Sequence, residues 1–260
     1  PVAHSFPTRR SSDLAELDDA PDVATAQAPV ALIFDYASAW AWETQPHGVG
    51  SSYFGLVLDH YRALRRAGLS VDILPPDASL DGYALVLAPG AMLMDAELKA
   101  RLAAARGEVL IGPRTAARDP DFAIPVPLPP TLPGLDTTVV RVETFRADMP
   151  RPLAGGGAVK SYLETLEGSA PACMATEDGQ PVAVRSGRLT YMAGWGDEAA
   201  LDRLLADLCD RAGIARLDLA RGVRVRDTAT ERFWFNHGAE PVDTPAGRLP
   251  AAGVLRIPRP

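Results

Sequence analysis

Val30-Ala31-Leu32-Ile33-Phe34 is an unbroken apolar run of strand length, and a strand with no polar face must be covered on both sides, as in a parallel sheet. It predicts a central strand. From Tyr53 the chain places Leu56, Val57, Tyr61 and Leu64 at helical spacing, with Gly68 where a helix C-cap is expected. Val71 to Leu74 then stops at Pro75-Pro76, and Tyr83 to Ala88 stops at Pro89-Gly90, so two further strands end at breakers. Asp95 caps a helix with Leu98, Leu102 and Ala105 on one face, closed by Gly107 before the strand Val109 to Ile111. The order is βαββαβ. Right-handed crossovers place helices on both faces of such a sheet, and its simplest form is a flavodoxin-like three-layer sandwich, the layering also of class I glutamine-amidotransferase-like proteins.

The stretch from Phe122 to Met149 contains Pro125, Pro127, Pro129, Pro130 and Pro133. Their missing amide donors disallow helix, so an extended excursion is expected. Thr137 to Phe145, Val159 to Leu166, Pro181 to Val184 and Arg188 to Ala193 read as strands, with a tight turn at Ser186-Gly187. Gly155-Gly156-Gly157 reads as a flexible loop. Asp197 caps a last helix whose buried stripe is Leu201, Leu204, Leu205 and Leu208, stopped by Gly213. Beyond Leu217 come short segments, Val223 to Val225, Arg232 to Asn236 and Gly253 to Ile257, separated by Gly and Pro, as in a small antiparallel β-domain. At the other end, Pro1 to Leu14 has no periodicity and is similar to a translated sequencing adapter. A natural disordered N-terminus is the alternative. Residues 15–29 alternate Ala, Asp and Pro as a linker. The expected division is thus 1–14, 15–29, 30–214 and 215–260.

A chain of 260 residues, 47% hydrophobic, can bury one sizeable core and a second small one. Its formal net charge of -7 argues against nucleic-acid binding. No stretch reaches the roughly 18 apolar residues of a membrane helix. Cys173 and Cys209 stand far apart, which fits neither a zinc site nor a disulfide framework and suits a reducing cytoplasm; both read as buried structural cysteines. The four histidines occur singly, so no metal site is expected, and His60 reads as a hydrogen-bonded core or interface residue. Gly48-Val49-Gly50 lacks the third glycine of a dinucleotide fingerprint, and no cofactor is expected. The elbow Leu87 to Met92 carries no nucleophile, and Ser51 and Ser52 lack a G-x-S-x-G frame. No catalytic residue is assigned.

Sheets of this kind bind ligands beyond the carboxyl ends of their strands, here Asp35 to Glu43 and Pro89 to Met94. The first of these holds two of the four tryptophans, Trp40 and Trp42, in what reads as a loop, followed by Gln45, His47 and Tyr53-Phe54. Large aromatics there suit a recognition surface. They equally suit a satellite cluster packed beneath the loop, and both readings stand.

The run Ile33-Phe34-Asp35-Tyr36-x-Ser38-x-Trp40-x-Trp42-Glu43, then Tyr53-Phe54 with Tyr61-Arg62-Ala63-Leu64, then Gly68-x-x-Val71-Asp72-Ile73-Leu74-Pro75-Pro76, resembles the trimerisation domain of family 42 β-galactosidases. Tyr83 to Pro89, Leu110 to Thr115 and Tyr191 to Trp195 are similar to later landmarks of that domain, and Arg232 to Gly238 resembles the small C-terminal β-domain. Many members have a glutamate where this chain has Ala37. The resemblance implies a homotrimer in which this region packs against its neighbours, while a TIM barrel outside it binds the galactoside and carries two glutamates for hydrolysis with retention. Such a barrel takes about 200 residues at least. The resemblance therefore implies a non-catalytic assembly region, inactive by itself, with Trp40, Trp42, Glu43, Tyr53 and Phe54 at or near the subunit contact. The rival reading is a free-standing amidotransferase-like or esterase-like enzyme of the same fold.

Overall fold

The computed structural model describes residues 26–48, 50–146 and 148–259. Residues 1–14, read as adapter-like, and 15–25 of the stretch read as a linker lie outside the described residues. The rest divides into two compact units, a larger one of Ala28–Leu64 with Val71–Arg216 and a smaller one containing Arg65–Ser70 and Leu217–Pro260.

The chain runs β1 (Val30–Ile33), α1 (Tyr36–Thr44), α2 (Tyr53–Arg66), β2 (Val71–Leu74), β3 (Leu85–Pro89), α3 (Ala96–Ala104) and β4 (Glu108–Gly112). There follow β5 (Thr138–Thr144), β6 (Arg151–Pro152), β7 (Ala158–Glu167), β8 (Ala172–Ala175), β9 (Pro181–Ser186), β10 (Leu189–Met192), β11 (Gly194–Gly196) and α4 (Glu198–Arg211). The main sheet has the order β2-β1-β3-β4-β10-β9-β8. Its first five strands are parallel, with Val30 opposite both Val71 and Leu85, and Tyr191 opposite Ile111. β9 and β8 extend it antiparallel. All residues of β1, β3 and β4 are buried, which is what their lack of polar alternation demands. Three aspartates start helices as N-caps: Asp35 accepts from the amides of Ala37 and Ser38, Asp95 from Leu98 and Asp197 from Ala200.

Residues 36–44, expected as a loop, form the helix α1. Small and aromatic residues run all around it, so it lacks the apolar stripe by which an amphipathic helix is recognised; Asp35 as N-cap was its sequence signal. The proline-rich excursion contains no helix among its described residues. It leads into a second sheet of order β11-β7-β5, in which the ten-residue β7 is central and also pairs with β6. Gly155-Gly156-Gly157, all at positive φ, makes the tight return from β6 into β7.

Cys209 is buried in α4, where burial pushes its thiol up to about 11. Cys173, read as a buried cysteine ahead of a strand, is instead exposed within β8. β8 is the edge strand of the main sheet, and Ala172 and Cys173 on it are both exposed. His60 is buried as expected, with Nδ1 2.8 Å from the Leu56 carbonyl oxygen.

The smaller unit has a three-stranded antiparallel sheet of β12 (Val223–Asp227), β13 (Glu231–Asn236) and β16 (Val254–Pro258), and a hairpin of β14 (Val242–Thr244) and β15 (Gly247–Leu249). Val223, Val225, Trp234 and Leu249 form its core. The Asn236 side chain donates to the carbonyls of Glu240 and Pro250 and accepts from the amide of Gly238, tying three backbone positions together.

Candidate functional site

The described cavity that best combines shape with convergent polar groups lies in the larger unit, beyond the carboxyl end of β4. As it leaves β4 the backbone turns sharply through Gly112, Arg114 and Ala116, all at positive φ. For Arg114 and Ala116 that conformation costs on the order of 1–2 kcal/mol each, so surrounding contacts must impose it. A Cβ on Gly112 would lie 2.3 Å from the Met192 carbonyl oxygen, which leaves glycine as the fitting residue. The Gly112 amide donates to Thr115 Oγ1 at 2.7 Å, and the Ala116 amide to the Ala91 carbonyl at 2.9 Å. The Arg114 amide donates to Glu164 Oε1 at 2.8 Å.

Glu164 comes from the middle of β7 and is buried. Its Oε1 also accepts from the Tyr162 hydroxyl at 2.8 Å, and its Oε2 accepts from the Tyr191 hydroxyl of β10 at 2.6 Å. Burial pushes this carboxyl up to about 7, although the two phenols, the Arg114 amide and the Arg114 charge all pull the other way. Burial and the adjacent carboxyl raise both tyrosines well above the usual phenol range.

Above this carboxyl lies the Arg114 guanidinium, 4.4 Å from the centroid of the Trp42 ring. Its Nη2 donates to the Gln45 carbonyl at 2.8 Å. Trp42 is held in turn by its indole N–H, which donates to the Gly90 carbonyl at 2.9 Å. Arg118 donates through Nη2 to Gln45 Oε1 at 2.5 Å. His47 lies edge-on to Tyr162, and burial followed by the charges of Arg114 and Arg118 lowers its pKa below the usual imidazole value. Most of these groups line a cavity of about 300 Å³, whose lining also includes Ile124, Leu128, Val140 and Val142.

The described lining supplies one carboxyl, two phenols, three guanidiniums (Arg114, Arg118 and Arg141) and an imidazole, and neither cysteine nor serine. Glu164 is the single carboxylate among its described lining residues. Among the described residues no cluster of His, Cys, Asp and Glu could hold a metal ion.

The five residues singled out as contact candidates separate by depth. Trp42 and Tyr53 are each 2% exposed, and the Tyr53 hydroxyl accepts from the Asp35 amide at 3.0 Å. Trp40 and Phe54 are 66% and 63% exposed, and Glu43 is also exposed. Tyr36 belongs with the outer group: it meets the Phe34 ring edge-on at 5.0 Å, and Phe34 lies 6.4 Å from Phe54. Arg114, Tyr162, Glu164 and Tyr191 were not identified as a site from the sequence. The available hint was Tyr162-x-Glu164, an aromatic and a carboxylate two apart in a strand and therefore on one face.

The family described as the β-galactosidase trimerisation domain matches residues 28–215. A β-galactosidase of Thermus thermophilus is 40% identical over 226 residues, which are 85% of this chain and 35% of that protein. The β-galactosidase Bga of Halorubrum lacusprofundi is 36% identical over 245 residues, 83% of this chain and 35% of that protein. The crystal structure of a β-galactosidase from the psychrophilic Marinomonas ef1 superimposes with a TM-score of 0.86 at 31% identity, covering 90% of this chain and 38% of that one. The chain thus spans little more than a third of the length of these relatives. It belongs to the family of β-galactosidase trimerisation domains, as an accessory region of family 42 β-galactosidases.

Proposed function

We propose that this chain is the assembly region of a β-galactosidase, that it holds subunits together in a homotrimer, and that it hydrolyses no glycoside by itself. The observation that carries the reading is the surface group Tyr36, Trp40 and Phe54, three large rings left largely uncovered on one compact unit. Exposed aromatics in one patch mark surfaces that a partner covers. Trp40, Phe54 and Glu43 would meet the neighbouring subunit directly, with Trp42 and Tyr53 supporting them from beneath. The galactoside would bind in a barrel outside these residues, where paired carboxyl groups stand about 5–5.5 Å apart in a retaining enzyme.

The parallel order β2-β1-β3-β4-β10 supports a flavodoxin-like, amidotransferase-like three-layer sandwich for residues 30–214, followed by a β-domain at 215–260. A cytoplasmic setting is supported by two cysteines that are both free thiols. The rival reading of an amidotransferase-like or esterase-like enzyme has one observation in its favour, the polar cavity at the strand ends. It requires a nucleophile in contact with a base there. Among the described lining residues the one aliphatic hydroxyl, that of Thr115, accepts from the Gly112 amide.

Two measurements test the proposal. The purified chain incubated with a chromogenic β-galactoside should give no turnover, and activity that persists through repurification would refute the assembly-only role. Light scattering over a concentration series should show the mass rising to that of a trimer; a constant monomer would mean that contacts outside this chain hold the subunits together.

A further inference from the structure

We infer that the cavity beyond the carboxyl end of β4 is a binding site for a small organic carboxylate with an apolar body. The inference is independent of whether the chain forms trimers.

Its first support is uncompensated positive charge. Among the described residues neither Arg114 nor Arg118 forms an ion pair: their guanidinium groups donate to the Gln45 backbone and side-chain oxygens and to the Ala117 carbonyl. Arg114 is 2% exposed and its Nη1 has no hydrogen-bond partner. A guanidinium cannot shed its charge when buried, as a lysine can, so the site calls for an anion. Glu164 does not supply it fully. Both of its oxygens are already engaged by Tyr162, Tyr191 and the Arg114 amide, and burial pushes the pKa of the group up to about 7, so that near neutral pH it carries only part of a negative charge. Arg141, at the rim, is already paired with Glu143 at 2.8 Å.

The second support is the apolar part of the lining. Ile124, Leu128, Val140 and Val142 leave much of their apolar surface uncovered around the same cavity. A ligand that places a carboxylate between two guanidiniums and hydrocarbon against these four side chains satisfies both halves at once. The volume of about 300 Å³ lies at the lower end of the range for small-molecule sites. The planar guanidinium matches a carboxylate through two parallel hydrogen bonds. Inorganic phosphate could use the same donors, but it would leave the apolar wall bare and bring a second negative charge beside Glu164.

The test is calorimetric titration of the full 260-residue chain with benzoate and with 4-methylpentanoate, alongside benzamide and inorganic phosphate. Either carboxylate should bind with a dissociation constant near or below about 1 mM, and benzamide at least tenfold more weakly. Arg118→Gln should weaken carboxylate binding by about tenfold or more. It is preferred to a change at Arg114, whose stack on Trp42 makes loss of folding a competing explanation; an unchanged melting temperature verifies that the variant is folded. Equal binding of benzamide, binding of phosphate without either carboxylate, undiminished affinity in folded Arg118→Gln, or no binding of any probe at about 10 mM would each overturn the inference.

Discussion

The two sides of α1 differ in almost every physical respect although they share nine residues. Trp40 and Trp42 stand two positions apart, about 200° around the helix, so one ring points out and the other in. Trp42 closes a dense polar assembly: it donates to Gly90, carries the Arg114 guanidinium on its face, and through Arg114 reaches the fully paired carboxyl of Glu164. Trp40 lies one helical turn from Tyr36, on the same face, and Tyr36 meets the Phe34 ring, which in turn lies near Phe54. The inner side is organised by hydrogen bonds that have only one good arrangement. The outer side is apolar area, which is non-directional and gains its energy only when something covers it. Aromatic content alone therefore says little about role; the face on which each ring lies decides.

The contrast is broken most severely by Trp42→Ala. Losing a buried indole should destabilise the chain by about 3–5 kcal/mol, read as a lower urea midpoint, because a cavity opens and Gly90 and Arg114 lose their partner together. A loss below about 1 kcal/mol would show that the inner side is not held as described.

Glu164→Gln probes the same side through pH. The folded carboxyl titrates near 7 against an ordinary value of 4.5, so the folded protein keeps a proton that the unfolded chain releases. This group therefore makes stability fall as pH rises between those two values and level off above the upper one. The variant lacks this dependence. Its stability relative to the parent should improve by roughly 3 kcal/mol across the window, measured by urea denaturation at several pH values. Parallel pH profiles would mean that the carboxyl is already ionised when the chain is folded.

On the outer side, the double change Trp40→Ala and Phe54→Ala should leave the stability of the isolated chain within about 0.5 kcal/mol. Self-association should weaken by about tenfold or more, as expected for aromatic anchors at a contact centre. Unchanged association in light scattering would remove this patch from the proposed interface. The smallest effect is expected where the two sides meet: Asp35→Ala removes the cap that starts α1 and should cost about 1 kcal/mol. A circular-dichroism melt is the appropriate measurement.

Much of the framework could be read along the chain. β1, α2, β2, β3, α3 and β4 lie where apolar runs, spacing and breakers place them, because each signal is local and regular. α1 escaped because apolar residues surround it, which erases periodicity. The split of the later strands between two sheets escaped for another reason: β7, β9 and β10 all look like good strands, and nothing in their own residues says which neighbour each takes. The cavity was the least legible part. Gln45, Arg114, Glu164 and Tyr191 reach it from four separate segments, and only Tyr162-x-Glu164 hinted that one strand turns a carboxylate inward.

By itself, the amino-acid order determined the alternation of strands and helices, the helix caps, the proline-rich interruption and the kinship of the chain, all properties carried by neighbours along the backbone. Tertiary structure alone decided which tryptophan is anchor and which is surface, and that Arg114 and Arg118 share a cavity with no ion pair to either among the described residues. Burial and charge balance depend on residues far apart in sequence, and these become neighbours only when the chain closes on itself.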